Sequence, residues 1–373
     1  MIKNKLFDSY YTWWKNIDKI IFSLIVILFL LGLLFSLAST SIIASDKLNT
    51  NSYYFFIKHF TFVVLSFFVF VSFSFLKKEK LIVLCLMLFL ISFIFLLLVP
   101  FIGNEVKGSK RWIEIAFLPR FQPIEFLKPT LIVSLGALLS LQTFQNLYFK
   151  YLLSFIIILP VVILLILQPD IGQTILVIST WLSLIFISGI NLILFSSSLI
   201  LLTGLMFYMI FFVQKFSYIK LRLTSFLNQS SGDSYQSEKA SEAIINGGFF
   251  GKGVGEGTLN SKIPEAHTDY IVSVISEEFG IVIIILIMLI YLLLSYKILK
   301  NIDDEKDTKV KLILLGCAVL ILLQSFIHIG VNIKLLPTTG MTLPFLSYGG
   351  SSIISTAIIS GIILNFTKRK ISY

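Results

Sequence analysis

The chain has 373 residues, of which 57% are hydrophobic and 13% charged, with a mean hydropathy of +0.94 and a net charge of +10. This composition excludes a soluble globular domain, because apolar segments of about 20 residues, each long enough to cross roughly 30 Å of hydrocarbon, recur along nearly the whole sequence. It also excludes a transmembrane barrel, whose strands would alternate apolar and polar residues over about ten positions. We therefore predict an all-α, polytopic integral membrane protein that forms a single membrane domain over residues 1–373.

Ten transmembrane helices are predicted in chain order. They cover residues 20–43, 54–76, 81–101, 122–142, 152–168, 170–188, 192–214, 268–297, 309–333 and 344–366. Lysine and arginine cluster at alternate junctions between the spans, around residues 3–19, 77–80, 150, 297–309 and 368–370. By the positive-inside rule these junctions are cytoplasmic, and so are the N and C termini. The first span has no small-residue cleavage site and is predicted to be an uncleaved anchor.

The positive net charge does not indicate a nucleic-acid partner. The lysines lie at the ends of the apolar spans, and the sequence contains no nucleic-acid-binding module. Cys85 and Cys317 both lie within apolar spans, so the sequence predicts neither a disulfide nor a cysteine metal site.

Two long connections face outward on this topology, namely the outer loop 102–121 and the large extracytoplasmic loop 215–267. The centre of the second loop, NQSSGDSYQSEKASEA, predicts a flexible or surface-lying segment. Six glycines between residues 247 and 257 are superficially similar to a phosphate-binding loop. Because no strand precedes them and no helix follows at the required place, tight loop geometry near the membrane surface is predicted instead.

The segment 255–280 joins this polar loop to an apolar run. If the run is helical, Asp269, Ser273, Ser276 and Glu277 share one face. An ionisable residue at the mouth of a membrane helix is costly and therefore indicates function. The alternative is an interfacial aspartate that caps the helix, and spacing alone leaves both interpretations open.

Two further spans carry polar faces. Gln122, Glu125 and Lys128 are spaced i, i+3 and i+6, which predicts a Glu125–Lys128 ion pair that also positions Arg120. In the ninth span, Gln324, His328 and Asn332 are spaced i, i+4 and i+8, and the histidine is predicted to be a hydrogen-bonded core residue. The small and hydroxyl residues of 337–352 predict close backbone approach or an irregular turn that lines a cavity.

The topology places these polar groups on one side of the membrane, around one outward-opening cavity. The predicted ring consists of Arg111, Arg120, Glu125, Lys128, Asp170, His267, Asp269, Lys334 and Ser351. Arginine and lysine hold phosphate oxygens, and a carboxylate can accept a proton. The arrangement suits a substrate that has a diphosphate group and a hydroxyl to be deprotonated.

Six motifs carry a resemblance to a known family. They are GSKRW (108–112), RFQPIEFLK (120–128), QPDIGQTIL (168–176), RLTSFL (222–227), GEGT with PEAHTDY and EEFG (255–280), and LPTTGMTLPFLSYGGSS (336–352). In this order the motifs resemble those of the SEDS family, the shape, elongation, division and sporulation proteins. The resemblance implies a ten-helix membrane glycosyltransferase that polymerises lipid II into peptidoglycan glycan strands. It also implies a class B penicillin-binding protein, a transpeptidase, as the partner.

The resemblance implies roles for individual residues. The acid of the family's HTD motif, its proposed general base, corresponds to Asp269. The Arg, Glu and Lys of the RFQPSE-type motif correspond to Arg120, Glu125 and Lys128, and Ile124 stands where the pattern usually has serine. The expected substrate-binding residues are Arg111, Arg120, Gln122, Glu125, Lys128, His267, Thr268 and Ser351.

The PEAHTDY, GEGT and TGMTLP motifs favour the cell-division type within this family over the elongation type, although Thr339 stands where division sequences often have lysine. The expected location is the bacterial cytoplasmic (inner) membrane at the division septum, with an extracytoplasmic active site. The expected partners are lipid II, the lipid-linked glycan, the transpeptidase and other membrane proteins of the division machinery. No organic cofactor is expected; a divalent cation, Mg²⁺ or Mn²⁺, is a candidate without assigned protein ligands.

Three alternative functions are left open: an elongation-type polymerase, a lipid II flippase and a membrane scaffold. The polar clusters lie on one side of the membrane, and the sequence shows no inverted repeat of the kind that transporters often carry. Both features favour the enzyme over the flippase. A scaffold would not require an aspartate beside arginine and lysine.

Overall fold

The computed structural model describes residues 10–48, 53–106, 109–115, 119–143, 146–227, 235–259, 262–263 and 265–368. Several features of the sequence lie outside the described residues. They are Lys3, Lys5, Arg369 and Lys370 of the terminal clusters, Gly108 of the GSKRW motif, residues 228–234 of the polar loop, and Pro264 of the PEAHTDY motif.

Ten long helices form the described part of the chain. In chain order the long helices and the shorter elements between them are α1 (Lys19–Leu48), α2 (Tyr54–Phe75), α3 (Lys78–Ile102), β1 (Asn104–Val106), β2 (Ser109–Trp112), α4 (Pro123–Leu139), α5 (Leu147–Leu167), α6 (Ile171–Ile187), α7 (Leu192–Phe212), α8 (Ser217–Leu227), α9 (Tyr235–Gly247), α10 (Ile271–Phe279), α11 (Ile281–Asp303), α12 (Thr308–Asn332) and α13 (Gly350–Phe366). Seven of the helices are long and apolar enough to span a membrane. The helices α4, α6 and α13 have 17 residues each, or about 25 Å, which is near the lower limit for a span.

The prediction of ten transmembrane helices agrees with this architecture, but the predicted helix 268–297 is wrong. The chain breaks at Gly280, whose φ of 83° lies in the left-handed region that only glycine enters without strain. A β-carbon at this position would lie 2.2 Å from the Phe249 carbonyl oxygen. The amides of Ile281 and Val282 donate to the carbonyls of Gly248 and Phe249 instead of continuing the preceding helix. The result is a nine-residue half-helix, α10, followed by the full span α11.

The helices differ greatly in burial. The helix α12 is the most buried of the seven long spans, because it packs between α4, α6 and α11. At the other extreme, α7 buries none of its residues within the protein. A helix that is apolar on all sides and unburied by protein is stable when lipid surrounds it.

The two long loops are more ordered than the sequence indicated. Within 102–121, β1 and β2 form an antiparallel hairpin, and Ile113 pairs with Phe121 through hydrogen bonds of 2.9 and 3.0 Å. The segment 228–243 was predicted to be flexible or surface-lying, and flexibility is the wrong alternative from Tyr235 onward, where the helix α9 (Tyr235–Gly247) forms. Ala240 and Ala243 of α9 are buried against α10, so their small side chains allow the two helices to pack closely.

Candidate active site

A cavity of about 590 Å³ lies where the hairpin, the start of α4, the loop before α10 and the start of α13 meet. Eight of the residues predicted from the sequence line it: Arg111, Arg120, Gln122, Glu125, His267, Thr268, Asp269 and Ser351. Three predicted members of the ring are absent from the lining residues, namely Lys128, Asp170 and Lys334. Residues separated by more than 200 positions in the sequence therefore meet around one space.

The residue Lys128 lies behind the cavity wall. Its Nζ donates to Glu125 Oε1 at 3.0 Å and to Gln324 Oε1 at 3.3 Å, and only 2% of the residue is exposed. The Gln173 amide also donates to Glu125 Oε1, at 2.8 Å. The predicted Glu125–Lys128 ion pair is confirmed. Because both charges are buried and bonded to neutral amides, the pair fixes where Glu125 meets the cavity.

The prediction that this pair positions Arg120 is wrong. The guanidinium of Arg120 lies 3.3 Å from Glu114 Oε2, and both side chains are about half exposed. An exposed ion pair of this kind contributes little stability. Arg120 is therefore a weakly held cation at the mouth of the cavity, free to exchange Glu114 for another anion.

Arg111, in contrast, is held firmly on β2. Its Nε donates to the Gln168 carbonyl at 3.0 Å, and one terminal nitrogen donates to the Pro169 carbonyl. The other terminal nitrogen lies 3.7 Å from Asp170 Oδ1, while Gln122 donates to Asp170 Oδ2 at 2.9 Å. Burial raises the pKa of the Asp170 carboxyl, and the Arg111 guanidinium opposes that shift. Asp170 thus acts as a buried support for Arg111 and Gln122, which do reach the cavity.

The backbone of the His267–Asp269 segment is clamped from three sides. The Tyr348 amide donates to the His267 carbonyl at 3.0 Å, and the Ser347 hydroxyl donates to the Thr268 carbonyl at 2.8 Å. The Asn332 amide donates to the Asp269 carbonyl at 3.0 Å. All three carbonyls of a loop segment are thereby bonded to distant parts of the chain, which holds the segment in one conformation.

The carboxylate of Asp269 and the guanidinium of Arg111 lie near each other across the cavity floor. A β-carbon added to Gly340, whose φ is +68°, would be 3.7 Å from Asp269 Oδ2 and 3.9 Å from an Arg111 terminal nitrogen. The two charged atoms are therefore less than 8 Å apart. Glycine at position 340 keeps the space between them open.

The structure corrects two expectations about Asp269, its place on a helical face and its role as a helix cap. The residue does not lie on a helical face with Ser273, Ser276 and Glu277, because α10 begins two residues later at Ile271. Nor does it cap that helix: the N-cap is Tyr270, and no side-chain capping hydrogen bond is made. Asp269 lies in the turn before the helix, with its carboxylate at the cavity.

Two of the other three polar residues of the predicted face, Ser273 and Glu277, have structural roles. Ser273 donates to Asn332 Oδ1 at 2.9 Å. Glu277 is fully buried and accepts hydrogen bonds from the Asn246 side chain and from the backbone amides of Thr258 and Leu259. This carboxylate fixes the glycine-rich loop against α10 and is remote from the cavity lining.

The polar row on α12 ties the same region together. His328 is buried, and its Nδ1 lies 2.7 Å from the Met341 carbonyl oxygen, which confirms a hydrogen-bonded core histidine. Gln324 donates to the Thr342 carbonyl at 2.9 Å. The segment 337–349, irregular as predicted, is thus anchored to α12 at Met341 and Thr342.

Several cavity residues were missed by the sequence reasoning, notably Lys58, Gln173, Arg222, Glu265 and Tyr348. An ionisable residue within an apolar span is itself a functional signal, so Lys58 could have been found. Gln173 and Arg222 lie within motifs that were recognised without roles being given to them. Two further cations, Lys58 and Arg222, thus join Arg111 and Arg120 at the cavity.

The two tyrosines at the cavity remain protonated near neutral pH. Burial, together with the adjacent Asp269 carboxylate, raises the pKa of Tyr270. Burial likewise raises the pKa of Tyr348 to about 12. Neither phenol can serve as a general base at neutral pH, which leaves that role to a carboxylate or to His267.

The described residues contain no group of three or more His, Cys, Asp or Glu side chains arranged to hold a metal ion. The donors among the described residues therefore do not fit a divalent cation held by protein ligands alone.

Comparison with known proteins gives consistent matches over nearly the whole chain. The family model for FtsW, RodA and SpoVE, described as "Cell cycle protein", matches residues 18–371. A probable peptidoglycan glycosyltransferase FtsW from Caulobacter vibrioides is 30% identical over 96% of this chain and 91% of that protein. The corresponding protein of Haemophilus influenzae is 34% identical over 93% of this chain and 89% of that protein.

Solved structures share the fold. One match is a chain from a structure described as "Structural coordination of polymerization and crosslinking by a peptidoglycan synthase complex". It superposes on this chain with a TM-score of 0.77 at 25% identity. The match covers 94% of this chain and 97% of that one. A mutant of the rod shape determining protein RodA from Thermus thermophilus superposes with a TM-score of 0.68 at 25% identity, with the same coverage.

Proposed function

The chain belongs to the FtsW/RodA/SpoVE family of cell cycle proteins, the SEDS family, and on that premise we propose that it is a peptidoglycan glycosyltransferase of the cell-division type. The substrate is lipid II, which the enzyme polymerises into glycan strands. The observation that carries the proposal is the single cavity that brings the Asp269 carboxylate within 8 Å of the Arg111 guanidinium. Lys58, Arg120 and Arg222 line the same cavity.

The reaction transfers the growing glycan from its lipid diphosphate to the 4-hydroxyl of an incoming lipid II. Asp269 accepts the proton of that hydroxyl as its oxygen forms a bond to the anomeric carbon of the growing strand. The bond between this carbon and the diphosphate oxygen breaks, and the lipid diphosphate leaves with the bonding electrons. The proton on Asp269 then passes to water or to the departing diphosphate.

Negative charge grows on the leaving diphosphate in the transition state. A cation that is already fixed in place stabilises this charge without reorganising, which lowers the barrier. Arg111 is such a cation because two carbonyls and Asp170 hold its guanidinium. Arg120 is held only by exposed Glu114 and can follow the diphosphate as it enters or leaves.

The other predicted residues divide into those that can touch the substrate and those that support them. Gln122, Glu125, His267, Thr268 and Ser351 line the cavity and can reach sugar or phosphate groups. Lys128 is buried behind the cavity wall and does not make the predicted contact with phosphate. Its role is to position Glu125, to which it donates a hydrogen bond.

The cavity lies at one end of the helix bundle. The helix α13 begins at Gly350 beside the cavity and ends at Phe366, whose carbonyl lies 3.5 Å from Lys78 Nζ at the other end of the bundle. Lys78 belongs to a lysine cluster that the positive-inside rule assigns to the cytoplasm. This supports an extracytoplasmic active site in the inner membrane.

The relatives of the chain also support a partner and a location for it. A solved relative belongs to a synthase complex that coordinates polymerization with crosslinking, which supports a class B penicillin-binding protein as the transpeptidase partner. The resemblance to FtsW proteins supports a site of action at the septum, together with other division proteins.

The test is reconstitution of the purified protein with its cognate transpeptidase in vesicles that contain labelled lipid II. We expect glycan polymer to appear, resolved by gel electrophoresis after the crosslinking activity of the partner is blocked. If lipid II crosses the vesicle membrane while no polymer forms, the protein is a flippase and the proposal is wrong. If neither occurs with folded, partner-bound protein, the polymerase assignment also fails.

A further inference from the structure

The glycine-rich turn 247–254 exposes two adjacent aromatic side chains. Phe249 is 75% exposed and Phe250 is 85% exposed, and the nearby Ile245 and Val254 are also largely exposed. Large apolar side chains grouped in this way on a loop usually mark a contact surface. What covers them depends on where the turn lies relative to the bilayer.

The turn is bonded to the first turn of the transmembrane helix α11. The amides of Ile281 and Val282 donate to the carbonyls of Gly248 and Phe249, at 3.0 and 3.4 Å. The Phe249 carbonyl also packs against Gly280, where a β-carbon would come within 2.2 Å of its oxygen. The depth of Ile281 in the membrane therefore sets the depth of the two phenylalanines.

The length of the apolar part of α11 fixes that depth. The first charged residue after Ile281 is Lys297, 16 residues later, which corresponds to a rise of about 24 Å along the helix. The hydrocarbon core is about 30 Å thick, and any tilt of the helix shortens its vertical reach. Lys297 can extend its side chain to water from just inside one boundary of the hydrocarbon core. With Lys297 at that depth, Ile281 lies at or within the opposite boundary of the core.

We propose that the turn 247–254 is a lipid-contact surface, with Phe249 and Phe250 inserted at the boundary between headgroups and acyl chains in the leaflet nearest the cavity. The surface is continuous with the lipid-facing side of α11, where Ile285, Leu286 and Leu289 are each about half exposed. Aromatic side chains are favoured at this depth, and Lys252 beside them suits anionic headgroups.

This contact is mechanically joined to the candidate active site. The amides of Lys252 and Gly253 donate to the carbonyls of Glu277 and Glu278, at 2.9 and 3.1 Å, and so close the C-terminal end of α10. The other end of this buried nine-residue helix begins two residues after Asp269. A turn held in lipid therefore anchors α10, and the start of α10 positions the proposed base, Asp269.

The test measures the depth of the turn with a nitroxide label on a cysteine placed at each phenylalanine, Phe249→Cys and Phe250→Cys. Both positions are exposed, so the substitutions remove little packing. Cys85 and Cys317 are buried, and the parent protein provides the labelling control. The full-length protein is placed in liposomes of phosphatidylethanolamine and phosphatidylglycerol, and collisions with oxygen and with a water-soluble nickel chelate are measured by EPR power saturation.

Two matched positions calibrate the measurement. Leu293→Cys, half exposed in the middle of α11, gives the lipid value, and Glu242→Cys, half exposed on α9, gives the aqueous value. We expect labels at 249 and 250 to meet oxygen readily and the nickel chelate several-fold less often than the label at 242. Equal access of the chelate at 250 and 242 would overturn the proposal. So would protection from both reagents, which would mean that protein covers the turn. Neither reagent reports catalysis, so the result is independent of the proposed glycosyltransferase activity.

Discussion

The buried Glu125–Lys128 pair makes a quantitative prediction about stability. Its Nζ–Oε1 distance is 3.0 Å, and the Lys128 and Glu125 side chains are 1% and 5% exposed, respectively. The substitution Lys128→Met keeps the volume but leaves the Glu125 carboxylate buried with only neutral partners such as Gln173. Removing one member of a buried pair costs about 3–5 kcal/mol, which is a large part of a typical free energy of unfolding of about 5–15 kcal/mol.

The chain offers a matched control with the same residue types and the same i, i+3 spacing. Lys239 and Glu242 on α9 are 2.6 Å apart, but their side chains are 26% and 50% exposed. Water screens both charges, so Lys239→Met should leave the stability unchanged within error. Comparing Lys128→Met with Lys239→Met separates the effect of burial on the free energy of unfolding from the effect of ion pairing itself.

The assay is equilibrium unfolding in mixed micelles, with each variant compared with the wild-type protein. The double variant Glu125→Gln/Lys128→Met removes both charges and should recover much of the stability that Lys128→Met loses. A Lys128→Met protein as stable as wild type would refute the reasoning. A double variant no more stable than the single one would do the same.

Three further predictions concern the positioning of the site. Gly280→Ala should lower the free energy of unfolding by more than about 1 kcal/mol, because it adds left-handed strain and a 2.2 Å contact of the new β-carbon. Gly204→Ala, whose β-carbon would meet nothing within 4 Å, should not lower it, and equal effects of the two substitutions in thermal melting would contradict this reasoning. Asn332→Ala removes the hydrogen bond to the Asp269 carbonyl and should lower kcat by roughly 10–100-fold with little change in KM, measured by steady-state polymerisation kinetics. Ser325→Ala on the same helix is the control and should leave both constants unchanged. Arg111→Lys should retain the fold but lower kcat/KM at least about tenfold, because a lysine cannot reproduce the planar set of bonds to two carbonyls and a carboxylate. Full activity of this variant would show that the geometry is unnecessary.

Much of the fold could be predicted because hydrophobic length is a strong signal in a membrane protein. Uninterrupted apolar runs such as those of α3 and α11 have few alternatives to a membrane helix. The break at Gly280 could not be predicted from the glycine itself, because a helix tolerates an isolated glycine at a modest cost. It depends on the carbonyl of Phe249, more than thirty residues earlier, which is a tertiary contact.

The candidate site was predictable in composition but less so in geometry. Eight of the residues expected at the cavity line it, since polar groups at the ends of apolar spans are costly unless they gather. Whether a charge faces the cavity or lies behind it depends on rotamers and neighbours. Lys128 turns to Glu125 and Gln324, and Arg120 turns to Glu114, although the predicted ring placed both cations at the cavity.

The most direct measurement of the central claim is the polymerisation rate of Asp269→Asn with lipid II and the transpeptidase present. The substitution keeps the shape of the side chain and removes its capacity to accept a proton. With melting temperature and partner binding equal to those of wild type, we expect the rate to fall by at least about 100-fold, as for the loss of a general base. Polymerisation at the wild-type rate would contradict the account, because Asp269 would then be a cavity residue without a catalytic role.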